Sequence, residues 1–399
     1  MKKRCDAPVI AIYTNIGRGH PNYLDSVRRY LKDSHPEQYQ QIQVTSIFEI
    51  SRGLSLLGWK IVRRMYRTGS RGGLISNLYR RFRSGQSEYD RGSILIRLLR
   101  RDLRAHLKEY DGICLVAHPL LANMLKDEHR VFYLHGEIAA PTESGVLGIE
   151  RIYVPLPETR EKMCAMGISA GSLMETGLVL EPELCENICE VVQKRIARVE
   201  STQPLTVGFF ISGAYPKRHV DLIVEGVKSC YSVGFNVRLF WGCDSKEVRR
   251  LVNALREFSG EIVNDDPDSS AISDSRMVIV TADSREAETL RSIEYLPGLD
   301  VFCAAPHERV NWAVGAGLPL IIIRPAIGTF APENRAFVLK SGCGLELSDN
   351  GLFSDLGREL TRIRQSGQLL EMIEAGQRIR LIHGAKVIAE DLIDQMAQP

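Results

Sequence analysis

Short apolar runs recur along the chain, and stretches of helical period follow them. Residues 8–14, 112–117, 131–134 and 151–154 are nearly continuous in hydrophobicity, as expected of strands buried on both faces of a parallel sheet. A second series at 205–211, 236–241, 277–281, 299–303 and 319–323 repeats the pattern, each run leading through a loop into a helix-period segment. Strand, loop and helix in alternation predict an α/β protein of two doubly wound, Rossmann-like halves. Between them Glu181 to Pro204 is polar, with a helix expected from Glu183 to Val199. The chain from Leu369 onward is helical by pattern, and no short repeat or low-complexity segment interrupts it.

A length of 399 residues fits two such domains, at roughly 100 to 200 residues each. With 44% hydrophobic and 25% charged residues, the composition is that of a globular protein rather than a disordered or fibrous one. No apolar run reaches the roughly 20 residues of a membrane span, and the start does not resemble a signal peptide. Nine cysteines without Cys-x-x-Cys pairs predict reduced thiols in a cytoplasmic protein and neither a disulfide framework nor a metal site.

The net charge of +2 hides an uneven distribution, because Ser51 to Arg104 holds 14 Lys or Arg against 3 acidic residues. Within this window Leu54, Leu56, Leu57, Trp59, Ile61, Val62, Met65 and Tyr66 interleave with Arg52, Lys60, Arg63, Arg64 and Arg67. The spacing predicts an amphipathic helix with Trp59 at its apolar edge, either packed on a core or docked on anionic lipid. Too few aromatics accompany the charge for base stacking, so nucleic acid is not expected as a partner.

Candidate chemistry gathers in the loops after strands. The first strand runs into Gly17-Arg18-Gly19-His20, where glycines allow close approach of a ligand and an imidazole can take a proton near neutral pH. The residue type alone leaves a helix cap or a surface role open for His20. The third glycine of a dinucleotide fingerprint is missing. His118 follows the next strand, and His135 and Glu137 the one after; loops after parallel strands gather at one edge. In the second half Ser212 and Gly213 follow a strand as a candidate phosphate loop. Pro306 is expected to open a helix that sets His307 and Arg309 in its first turn, beside an anion.

These motifs resemble the two-domain GT-B glycosyltransferases, in particular the branch of monogalactosyldiacylglycerol synthase and the peptidoglycan N-acetylglucosaminyltransferase. Gly17-Arg18-Gly19-His20 is similar to that branch's acceptor loop, and Tyr153-Val154-Pro155 through Thr176-Gly177-Leu178-Val179 to its passage out of the N-domain. Gly315-Ala316-Gly317-Leu318-Pro319 resembles its donor-domain segment, and Asn334 with Gly342 matches the spacing of the following helix. The resemblance implies an acceptor-side domain over 1–180 carrying the basic docking segment, a connection at 181–204, and a donor-side domain over 205–399. It further implies a membrane-associated enzyme on the cytoplasmic face that moves a sugar from a nucleotide-sugar, as substrate and with no cofactor or metal, to a lipid or other hydroxyl acceptor by inverting displacement. His20 would be the base; Gly17, Gly19, His118, His135 and Glu137 would meet the acceptor; Ser212, Gly213, His307, Glu308, Arg309 and Asn334 would meet the donor. The chain departs from the family at Trp312, where a ribose-binding glutamate is expected, at Pro306, where a glycine is, and at Phe330 and Ala331, where polar residues contact the sugar. Glu308 is the candidate substitute for the missing carboxylate. Those departures keep a non-catalytic GT-B relative that binds nucleotide, lipid or a partner protein as the alternative, ahead of an epimerase or phosphorylase.

Overall fold

The structure is a computed structural model that describes residues 7–14, 16, 19–69, 94–211, 215–242, 252–253, 255, 258, 263–264, 275–282, 284–347, 353–379 and 381–397. Gly17, Ser212, Gly213 and the part of the basic window at 70–93 lie outside the described residues. The chain divides into two compact units, one of residues 1–185, 328–333 and 381–399, the other of 186–327 and 334–380.

In the first unit six strands, β1 (Val9–Tyr13), β2 (Ile42–Ser46), β3 (Ile113–Val116), β4 (Arg130–Leu134), β5 (Arg151–Val154) and β6 (Leu173–Glu175), form a parallel sheet of order β2-β1-β3-β4-β5-β6. Alternate residues of β1, β3, β4 and β5 feed two cores. Ile10, Ile12, Cys114, Val116, Val131 and Tyr133 share one with Trp59, Leu99 and Leu103; Val9, Ala11, Ile113, Leu115, Phe132 and Leu134 share the other with Leu24, Val27, Ile388 and Leu392. Burial on both faces accounts for the unbroken apolar runs in the sequence.

The second unit holds β7 (Thr206–Phe210), β8 (Asn236–Gly242), β9 (Val263–Asn264), β10 (Met277–Thr281), β11 (Val301–Ala304), β12 (Leu320–Ile322) and β13 (Gly344–Glu346), parallel in the order β13-β12-β11-β7-β8-β10-β9. Both sheets are doubly wound, as expected.

The stretch expected to connect the domains and the end of the chain are both structured. Most of the polar stretch 181–204 is the helix Ile188–Glu200, whose Arg195 is wholly buried. Its guanidinium donates to the carbonyls of Leu296, Leu299, Ala316 and Gly317, which fastens the helix to the second unit. The terminal helix Gly384–Met396 returns to the first unit. There Asp391 accepts from the Tyr153 hydroxyl at 2.7 Å and pairs with Arg151 at 3.5 Å.

At Trp59 the basic segment takes the core-packed alternative. Trp59, on the helix Gly53–Gly69, is 0% exposed and donates through Nε1 to the Leu99 carbonyl at 3.1 Å. It is a core residue, because the helix Ile94–His106 covers that face. A second apolar stripe remains open on the same helix: Leu54, Leu57, Ile61 and Met65, at spacings of three, four and four, are 61%, 52%, 49% and 48% exposed. Exposed Lys60 and Arg64 flank it. Among the described residues no helix is long and apolar enough to cross a membrane.

Candidate functional site

Strand order fixes where a ligand fits, since in open α/β sheets the crevice lies beyond the carboxyl ends of the strands where the order reverses. In the first unit that point falls between β1 and β3. The loop after β1 delivers His20, in the first turn of the helix Gly19–Ser34, and the loop after β3 delivers His118. Their rings meet edge-on with centroids 5.1 Å apart. His118 is fixed by local sequence: it caps the helix Pro119–Leu125, its Nδ1 accepting from the Leu120 N–H at 3.1 Å. An accepting Nδ1 puts the neutral ring's proton on Nε2. His20 is half-buried.

His135, from the end of β4, stands next to this pair without an open nitrogen. Its Nδ1 accepts from the Tyr133 hydroxyl and its Nε2 donates to the Ala139 carbonyl, both at 3.0 Å. Burial, and then the neighbouring His20, push its imidazole down to about 3. His135 is therefore a neutral strut within the unit, with both ring nitrogens engaged. Glu137 is buried in the loop that follows. Phe330, far along the sequence, joins the cluster with its ring 5.8 Å from that of His20 and 6.3 Å from that of His135. Among the described residues no group of three or more His, Cys, Asp or Glu could hold a metal ion.

In the second unit the order reverses between β7 and β11. Pro306 does not open a helix; His307 to Arg309 form a turn, and the helix begins at Val310. Arg309 points into the unit. It pairs with Glu288 at 3.3 Å and Glu308 at 3.5 Å, and its guanidinium lies over the rings of Phe210 (4.8 Å) and Trp312 (5.4 Å). Trp312 packs on Phe210 and Phe302, so an aromatic cluster fills the position where the resemblance implies a carboxylate. Asn334 is wholly buried.

His219 was not among the sequence candidates, and it belongs to this crevice. It lies in the first turn of the helix Lys217–Ser232, its Nε2 donating to the Pro325 carbonyl at 2.8 Å. Burial, against the hydrogen bond, and then the nearby His307 push its imidazole down to about 4. His307 is lowered by desolvation too. The signal for His219 lay in the helix start at Pro216-Lys217, five residues beyond a strand. Beyond β12, Arg324 and Arg335 share the carboxylate of Glu346.

No family model matches the chain, and no curated protein matches it by sequence. Solved structures do. UDP-GlcNAc 2-epimerase from Neisseria meningitidis, bound to UDP-GlcNAc, aligns over 97% of this chain and 99% of its own with a TM-score of 0.56 at 10% identity. The S. aureus MnaA–UDP structure aligns over 96% and 94% with a TM-score of 0.54 at 9% identity. UDP-glucose:anthocyanidin 3-O-glucosyltransferase in complex with UDP aligns over 99% and 100% with a TM-score of 0.51 at 12% identity. Likeness at such identities is likeness of fold, and the two Rossmann-like units of this chain are the two domains of a GT-B fold.

Proposed function

We propose that the protein is a glycosyltransferase that moves a sugar from a nucleotide-sugar donor to a hydroxyl acceptor, a membrane lipid above all. The observation that carries this reading is the meeting of His20 and His118 at the β1/β3 switch point, with ring centroids 5.1 Å apart. An imidazole there takes the proton of the acceptor hydroxyl as its oxygen bonds to the anomeric carbon. The diphosphate leaves from the opposite face with the electron pair of the broken C–O bond, so the anomeric configuration inverts. The second unit would hold the donor, with Arg324 and Arg335, both paired with Glu346, at its carboxyl edge. UDP-GlcNAc or UDP in the similar structures supports a nucleotide-sugar partner.

The open stripe of Leu54, Leu57, Ile61 and Met65 beside Lys60 and Arg64 supports peripheral docking on the cytoplasmic face of an anionic membrane. The branch of monogalactosyldiacylglycerol synthase, with a diacylglycerol-like acceptor, fits these features. One observation favours a second reading, a non-catalytic GT-B relative: Trp312 and the Arg309–Glu288 pair occupy the donor-side crevice.

Calorimetric titration with UDP-GlcNAc, UDP-glucose, UDP-galactose and UDP separates the two. Binding that depends on the sugar, followed by its transfer to dioleoylglycerol in phosphatidylglycerol vesicles, is expected of the transferase. Vesicle binding without any nucleotide-sugar affinity supports the second reading, and conversion of UDP-GlcNAc to its 2-epimer refutes both.

A further inference from the structure

We propose that Phe330 is a positioning residue for His20, held in place by a clamp at Glu333. Phe330 is separated from His20 by more than 300 residues of sequence, yet both belong to the first unit. The His20 ring meets two others edge-on: His118 at 5.1 Å and 64°, Phe330 at 5.8 Å and 74°. Edge-to-face contact of this kind biases a ring's orientation by about 2- to 10-fold.

Phe330 itself rests on a rigid support. Its ring lies 6.3 Å from that of His135, tilted by 32°, and both nitrogens of His135 are hydrogen-bonded. The segment carrying it is fastened to the same loop: Glu333 accepts from the Ala140 N–H at 3.3 Å and from Lys162 at 2.7 Å. Ala139, next to Ala140, accepts the His135 Nε2 proton. Lys162, Glu333, the 139–140 backbone, His135, Phe330 and His20 thus form one continuous set of contacts. A short segment from late in the chain fixes the imidazole contributed by the first helix.

The catalytic consequence rests on the proposed transfer reaction, but the contact itself is testable without substrate. Imidazole nitrogen resonances, with His20 assigned from a His20→Gln spectrum, are measured in wild type, F330A, F330Y and E333Q. The expected result is that F330A moves the His20 resonances toward those of a freely rotating histidine, E333Q moves them part of the way, and F330Y keeps them in place. His219, in the second unit, stays unchanged throughout. With UDP-glucose and dioleoylglycerol, F330A should lower kcat about 10-fold while the donor KM stays within about twofold. His20 resonances that remain at wild-type values in F330A, or that shift equally in F330Y, overturn the proposal. If the wild type transfers no sugar, the proposed function fails while the imidazole spectra still decide the role of Phe330.

Discussion

Acidification from pH 7 to pH 5 should weaken the first unit through His135. An unfolded histidine titrates near 6.5, whereas in the folded unit burial and then His20 hold His135 down to about 3. The folded value lies below the unfolded one, so between about pH 6.5 and 3 the unfolded chain binds the extra proton. The stability present above 6.5 is therefore lost as pH falls through that window. At pH 5 the loss is about 1.5 pH units at 1.36 kcal/mol each, or about 2 kcal/mol. His135→Gln removes the titrating group while keeping one donor and one acceptor for Tyr133 and Ala139. Amide exchange in β4 (Arg130–Leu134) reads the opening free energy of this unit locally. Between pH 7 and 5 that free energy should fall by about 2 kcal/mol more in wild type than in the variant. An equal fall in both would show that His135 carries its proton already in the folded unit, and the neutral-strut account would be wrong.

Asp391→Ala should cost the first unit about 2 kcal/mol by stranding the buried Tyr153 hydroxyl. Exchange in β5 (Arg151–Val154) should quicken while β7 (Thr206–Phe210) is unaffected, and the reverse pattern would contradict the assignment of the terminal helix. Arg195→Met should cost the second unit about 3 kcal/mol or more, since it leaves the carbonyls of Leu296, Leu299, Ala316 and Gly317 without their donor; faster exchange in β7 checks this. Leu57→Glu with Ile61→Glu changes exposed positions and should leave the melting temperature unchanged, while binding to phosphatidylglycerol vesicles at low salt falls at least about 10-fold. Unaltered cosedimentation would remove that stripe from the docking surface.

Much of the architecture was legible because both sheets are buried on two faces, and continuous apolar runs such as Val9–Tyr13 and Val301–Ala304 admit few other readings. The meeting of His20 and His118 followed from topology, since both sit just past the carboxyl ends of neighbouring strands. Features set by distant partners were not legible. Spacing gave the helix around Trp59 an apolar face, but only the helix Ile94–His106 decides that Trp59 lies beneath it. The same holds for Arg309, whose partner Glu288 stands on another helix. His219 pairs with a carbonyl 106 residues away, and the return of Gly384–Met396 to the first unit brings Asp391 to Tyr153, 238 residues distant in sequence. None of these pairs has a local sequence signature.

The central claim is that His20 acts as the base at the β1/β3 crevice. It is tested most directly by the rate of sugar transfer from UDP-glucose or UDP-galactose to dioleoylglycerol in wild type and His20→Ala, with donor affinity measured in parallel. The account predicts a fall in kcat of about 100-fold or more, a donor Kd within about twofold, and unchanged amide exchange in β1 (Val9–Tyr13). Transfer at the wild-type rate by His20→Ala would contradict it, as would a loss of donor affinity or fold that matches the loss of rate.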